Sequence, residues 1–233
     1  MLHRLLTSTL TRIGAHLTST HIGRLDSVVN YLEAGRWLNE KGFEAKPRYA
    51  TREDLYKAIA ERIRHEQVVY LEFGVYKGKS LKEWSKLLNH PRNKLFGFDS
   101  FEGLPEQWNR TNSIGAFSLH GNVPVFDDSR IVLHKGWFEE TLPRFVVPPH
   151  ERLVINLDAD LYSSSLLVLR RLRSEIRPGT ILIFDEFVDR NHELKAFDEF
   201  LTESALRFRF LACTKNLVQV AFECVPNSET KQR

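Results

Sequence analysis

No apolar run in the sequence approaches the roughly 18 residues that a membrane-spanning helix needs. Two cysteines, Cys213 and Cys224, are too few for a disulfide framework and have no metal-site spacing, so a reducing, cytoplasmic setting is expected. Basic residues exceed acidic ones by a net charge of only +3, and no dense Lys/Arg run occurs, which argues against a nucleic-acid binder. Acidic residues are missing from positions 1–25, where Arg4, Arg12 and Arg24 are interleaved with Ser, Thr and Leu. That composition fits an organellar transit peptide. It equally fits an amphipathic arm, with Leu5, Leu6, Leu10, Ile13 and Leu17 at roughly helical spacing. Without a clear cleavage site, the arm is the expected reading. The G-x-G-x-x-G dinucleotide fingerprint, the G-x-S-x-G elbow and the P-loop are all absent. None of the nine histidines pairs with another at metal spacing.

What is present is ordinary globular composition, 42% hydrophobic and 27% charged over 233 residues, enough for one sizeable core. Residues 1–66 read as a helical arm, with Thr51-Arg-Glu-Asp54 resembling a helix start ahead of Tyr56, Ile59 and Ile63. Residues 67–233 read as a second, larger unit. Its apolar runs at 68–73, 95–98, 130–133, 153–157 and 181–184 alternate with helical stretches, among them Leu81, Trp84 and Leu88, then Leu166, Leu169, Leu172 and Ile176 up to a stop at Pro178-Gly179. Short buried strands separated by helices predict an α/β fold with a parallel sheet covered on both faces. Runs 208–212 and 217–222 are separated by four residues, too few for a parallel crossover, so the chain should end in an antiparallel hairpin.

The junction Glu72-Phe-Gly74-Val-Tyr-Lys-Gly78-Lys-Ser80 lies between the first of these strands and its helix. Gly74 and Gly78 permit a sharp turn and close approach of the backbone to a ligand, and Ser80 with Glu83 reads as a capping box. Asp99 ends the next strand, 27 residues after Glu72, about one strand–helix–strand unit. A carboxylate there can accept bonds from both hydroxyls of a ribose, so the group favours a nucleoside ligand.

Asp158 and Asp185-Glu186 end two later strands, again 27 residues apart, and should converge at one sheet edge. Three such carboxylates need a compensating cation or proton. The all-oxygen donor set suits Mg²⁺, Mn²⁺ or Ca²⁺, and neutralisation by Lys195 is the metal-free alternative. Asp160 is open to three roles: metal ligand, general base or helix cap, with the Ser163–Ser165 run an alternative source of the cap. His134 and His192 fall near strand or loop ends on the cleft side.

The glycine junction and Asp99 resemble the cofactor loop and ribose-binding acid of class I S-adenosylmethionine-dependent methyltransferases. The resemblance covers about residues 66–224. Within that class, Gly97-Phe-Asp99-Ser-Phe-Glu-Gly103-Leu-Pro105, Gly136-Trp-Phe-Glu-Glu-Thr141-Leu-Pro143 and Leu157-Asp-Ala-Asp160-Leu-Tyr-Ser-Ser are similar to the macrocin-type sugar O-methyltransferases. The resemblance implies a Rossmann-like sheet, with S-adenosylmethionine bound by Glu72, Gly74, Gly78, Ser80, Asp99 and Ser100. It implies Mg²⁺ on Asp158, Asp185 and Glu186, Asp160 as base, and a small-molecule hydroxyl as acceptor, with neither membrane nor nucleic acid as partner. The helical arm would be a lid or a homodimer contact. Asp185-Glu186 departs from the paired aspartates common in the family. A metal-independent methyltransferase of RNA or protein, a nicotinamide oxidoreductase and a non-catalytic nucleoside binder are the competing readings.

Overall fold

A computed structural model describes residues 2–227; residue 1 and residues 228–233, the outer ends of the two expected segments, lie outside the described residues. The chain begins with helices α1 (Leu2–Gly14) and α2 (Ser19–Glu40), then a two-residue strand β1 (Arg48–Tyr49) and α3 (Arg52–Arg62). There follow β2 (Val68–Phe73), α4 (Lys79–Leu87), β3 (Lys94–Asp99), β4 (Ile131–Lys135) and the short α5 (Phe138–Thr141). The last third holds β5 (Arg152–Leu157), α6 (Tyr162–Arg171), β6 (Ile181–Phe184), α7 (Glu193–Ser204), β7 (Arg207–Thr214) and β8 (Val220–Val225).

One eight-stranded sheet runs in the order β1-β7-β8-β6-β5-β2-β3-β4. The pairs β2–β3, β3–β4, β2–β5 and β5–β6 are parallel, and β8 is antiparallel to both β6 and β7. This is the expected Rossmann-like, mostly parallel sheet with an antiparallel end. β1, within the segment read as wholly helical, adds a parallel edge strand beside β7. Two residues carry too little pattern to distinguish a strand from a loop.

β2 explains the layering. All six of its residues are buried, and successive side chains point to opposite faces. Val68 and Tyr70 pack under α3 and α4, where the Tyr70 ring stacks on Trp84 at 4.9 Å. Val69, Leu71 and Phe73 face the other core, shared with α6, α7 and the end of α2 through Trp37. α3 is part of the sheet's cover, with Leu55 and Tyr56 fully buried, so the segment 1–66 contributes β1, α3 and the end of α2 to the core unit. Thr51 caps α3 by accepting from the Asp54 amide, as expected. α6 stops at Arg171, earlier than the apolar spacing through Ile176 indicates, because residues 172–176 continue the stripe in turns.

The strand order reverses at β2, whose neighbours β3 and β5 lead to opposite edges of the sheet. The crevice beyond the carboxyl end of such a strand is where open α/β sheets place ligands. The connection of residues 100–130 between β3 and β4 contains no helix or strand and folds over this crevice. A loop that long inside a compact domain normally serves a site.

Candidate active site

A cavity of about 520 Å³ occupies the crevice, within the range of small-molecule sites. Gly74, Ser80, Asp99, Asp158, Asp160, Asp185 and Glu186 line it, so most of the expected site residues meet in one place. Register explains the convergence: Leu157 pairs with Phe184, so Asp158 and Asp185 are the next residues of adjacent parallel strands. Glu72, Gly78 and Ser100 are not among the lining residues.

The two glycines are required for reasons internal to the protein. Gly74 has φ +91°, and a Cβ there would sit 1.8 Å from the carbonyl oxygen of Asp158. Gly78 has φ +72°, and a Cβ would lie 2.3 Å from the Phe126 ring. Their close approaches are thus to β5 and to the long loop. Gly78 is also the N-cap of α4, which has no side-chain cap, so the expected Ser80 capping box does not form. Ser80 lies one residue inside the helix, and its hydroxyl donates to Glu72 Oε1 at 2.8 Å. Tyr70 donates to Glu72 Oε2 at 2.6 Å. Glu72 is fully buried, and burial pushes its carboxyl up to about 7 against these two bonds.

Asp99 holds the turn together. Its Oδ2 accepts from the Val75 and Tyr76 amides at 2.8 and 2.7 Å, and its Oδ1 from the Phe101 amide at 2.6 Å. An ionised carboxylate offers about four lone-pair sites, so about one remains for a ligand instead of the two assumed for a ribose. Ser100 is likewise turned inward, its Oγ accepting from the Glu102 amide at 3.1 Å.

Burial and the charge of Asp185 raise the carboxyls of Asp158, Asp160 and Glu186. Burial, followed by the charges of Asp185 and Asp160, lifts Asp158 well above the usual range. Burial and then Asp185 bring Asp160 to about 7, and burial with Asp185 and Asp160 brings Glu186 to about 7. Glu193, at the start of α7, joins them with no exposed surface: its Oε2 accepts from the Glu186 amide at 2.9 Å, while Oε1 has no partner. Among the described residues, no three His, Cys, Asp or Glu side chains are set as a metal-ligand group. The donor chemistry nonetheless suits a hard cation, being all oxygen and carrying excess negative charge.

The neighbouring cation is Arg52, not Lys195. Arg52 Nη1 lies 3.2 Å from Asp185 Oδ1, and Gln219 Nε2 donates to the same oxygen at 3.1 Å. Lys195 instead sits 4.0 Å above the Tyr162 ring. Arg52, Gln219 and Glu193 carry no local sequence signal, since each reaches the group only through tertiary packing.

Asp160 has φ +60° and caps nothing; Leu161 is the N-cap of α6 and makes no side-chain bond, nor does a serine of the 163–165 run cap it. Its side chain is therefore free of local duty at the cavity wall. Neither histidine lines the cavity. His134 stacks on Phe98 at 4.7 Å, and burial lowers its pKa. His192 Nδ1 accepts from the Tyr162 amide at 3.3 Å. Tyr76, Trp108 and Phe117 also line the cavity, with the Phe117 ring 5.8 Å from Tyr76 and 6.3 Å from Trp108. The sequence motifs did not single out these aromatics, two of which come from the long loop.

Residues 50–212 match the family described as Macrocin-O-methyltransferase (TylF). The chain belongs to this family. Among curated relatives, the TylF-family chain is similar to the 8-demethyl-8-(2,3-dimethoxy-alpha-L-rhamnosyl)-tetracenomycin-C 4'-O-methyltransferase of Streptomyces olivaceus. The two are 28% identical over 137 residues, covering 50% of this chain and 52% of the relative. It is also 29% identical over 107 residues to the demethyldecarbamoylnovobiocin O-methyltransferase of Streptomyces niveus, covering 39% of this chain and 40% of the relative. The matches thus span about half the length of these relatives or less. Its fold resembles the calicheamicin methyltransferase CalS11, with a TM-score of 0.59 at 22% identity, covering 73% of this chain and 77% of that one. The O-methyltransferase NovP gives 0.58 at 19% identity, covering 75% and 80%. At that identity the likeness establishes the shared architecture of the TylF-family chain and nothing further.

Proposed function

We propose that this chain is an S-adenosylmethionine-dependent O-methyltransferase acting on a hydroxyl of a small sugar-bearing or natural-product acceptor. The observation that carries this reading is the acid-lined cavity at the strand-order reversal, with Asp160 on its wall and its carboxyl at about 7. Such a pKa suits a group that must collect a proton near neutral pH. The sugar-bearing and natural-product acceptors named for the two Streptomyces relatives support the acceptor class.

The cavity fits the cofactor on its chemistry: anionic walls suit a sulfonium, and Tyr76, Trp108 and Phe117 offer ring faces to a base. When bound, S-adenosylmethionine supplies an activated methyl group. The protein's share is then positioning and proton transfer. Gly74–Ser80 and Asp99 form the wall for the cofactor, with Glu72 fixing Ser80 from behind and Ser100 bracing the loop after Asp99. Asp160 takes the proton of the acceptor hydroxyl, and the loop of residues 100–130 excludes water from above.

Asp158, Asp185 and Glu186 are the residues that would hold Mg²⁺; there it would offset their charge and lower the pKa of an acceptor hydroxyl. We read residues 1–66 as the arm preceding the catalytic unit 67–233, with β1 and α3 already packed into that unit. Leu6, Leu10, Ile13, Leu25, Val28 and Leu32 on α1 and α2 are each more than half exposed, which suits a lid or a contact with a second copy. No helix among the described residues is long and apolar enough to cross a membrane. Two buried free thiols favour a reducing cytoplasm.

Calorimetry with S-adenosylhomocysteine tests the reading first, followed by a mass-spectrometric screen of hydroxylated acceptors for a gain of one methyl group. No binding by the folded protein overturns it.

A further inference from the structure

We propose that Arg52 is a built-in counter-ion of the carboxylate group and competes with a divalent cation for Asp185. This rests on the metal reading of the same site. Both oxygens of Asp185 face donors from the chain: Arg52 Nη1 lies 3.2 Å from Oδ1 and 3.5 Å from Oδ2, and Gln219 Nε2 reaches Oδ1 at 3.1 Å. A cation that used Asp185 would therefore take an oxygen already engaged by a guanidinium.

The pair is positioned to hold. Arg52 and Asp185 side chains are only 22% and 11% exposed, so water screens them little. Arg52 is the first residue of α3, which is capped by Thr51 and anchored by the buried Leu55 and Tyr56. Its guanidinium lies 5.9 Å from the centre of the Tyr56 ring, supported from behind. Other cations at the cavity are occupied elsewhere: Lys79 pairs with Glu53 at 3.1 Å, and Lys77 lies over the Tyr76 ring at 5.1 Å. Among the described residues, Arg52 is the cation whose ion pair reaches this carboxylate group.

One positive charge does not balance carboxyls contributed by Asp158, Asp160, Asp185, Glu186 and the buried Glu193, whose Oε1 has no partner. A divalent ion would balance them better but must meet a like charge at contact distance of one ligand. Two cations beside one another repel strongly where solvent is excluded. Metal affinity is then set by how readily Arg52 gives way, and the arginine keeps Asp185 paired when cation is scarce.

The test is calorimetric titration of the purified full chain with MgCl₂ alone, comparing wild type, Arg52→Gln and Arg52→Lys. Arg52→Gln should bind Mg²⁺ about tenfold more tightly or better, each factor of ten being about 1.4 kcal/mol. It should also melt lower without Mg²⁺ and gain more in Tm on its addition, because a ligand stabilises the state it binds. Arg52→Lys keeps the charge and should stay near wild type. Tight binding by Arg52→Gln with none by wild type also supports the competition.

Equal or weaker affinity in Arg52→Gln overturns the proposal while leaving the metal reading intact. No binding by either protein, with S-adenosylhomocysteine still bound, overturns both. Should Arg52→Gln fail to fold, the wild type carries the test through side-chain NMR: the Arg52 Nε–Hε signal must move on adding Mg²⁺, and an unmoved signal counts against the competition.

Discussion

The carbonyl oxygen of Asp158 occupies the space that a side chain at residue 74 would need, 1.8 Å from the Cβ position of Gly74. The turn after β2 and the end of β5 are therefore built against each other, and the cavity inherits its shape from that contact. The glycine turn and the carboxylate group therefore cannot move independently.

Gly74→Ala should disturb both. The φ of +91° alone costs a non-glycine residue about 1–3 kcal/mol, and the clash with backbone adds to it. For a chain of this size each kcal/mol lowers Tm by about 2–4 °C. Thermal melts and S-adenosylhomocysteine calorimetry should both show the loss; an unchanged melt with normal affinity contradicts the packing argument.

Asp99→Ala leaves the amides of Val75, Tyr76 and Phe101 without their acceptor. Bonds to a charged acceptor are worth about 1.5–3 kcal/mol each before water recovers part. We expect weaker S-adenosylhomocysteine binding together with faster hydrogen exchange at those amides in the ligand-free protein. A loss of affinity with unchanged exchange would instead assign Asp99 mainly to direct ligand contact.

Asp160→Asn keeps the shape and tolerates the positive φ, as asparagine commonly does. It removes the proton acceptor, so kcat should fall about 10²–10⁴-fold while cofactor affinity survives. Wild-type kcat should rise as pH passes through about 7, where Asp160 loses its proton. Because Glu186 titrates in the same range beside it, that limb belongs to the coupled group. Full activity in Asp160→Asn removes it as base.

Stability should fall as pH rises from about 4 to about 7. Burial raises the carboxyl of Glu72 from 4.5 to about 7, so between those values the folded state holds a proton that the unfolded chain has released. The slope is then negative, and it flattens above the folded value. For the fully buried Glu72 the difference is on the order of 3 kcal/mol. Melting in MgCl₂-free buffer at pH 5, 6, 7 and 8 measures it, and Glu72→Gln should flatten the profile. A wild-type Tm that climbs over this range contradicts the assignment.

Much of the fold was legible before any coordinates. Buried strands such as Val68–Phe73 are continuous apolar runs, and the four-residue gap before the last strand excludes a parallel crossover. The convergence of Asp158 with Asp185 was equally readable, because parallel neighbours repeat at the length of one strand–helix–strand unit. β1 was not legible: two residues show no period. Ser80 and Glu83 match a capping box by spacing alone, yet the buried carboxyl of Glu72 takes the serine hydroxyl and Gly78 is the N-cap at which the helix starts.

By itself the sequence determined the layered α/β sheet, the position of the glycine turn and the edge at which the acids gather, since these depend on local period and spacing. Tertiary structure alone decided which groups neutralise and orient those acids. Arg52 and Gln219 are 133 and 34 residues from Asp185, and Glu193 acts through the Glu186 amide. Contacts of that kind are set by how α3, β8 and α7 pack onto the sheet, and no short-range pattern encodes which charge ends beside which.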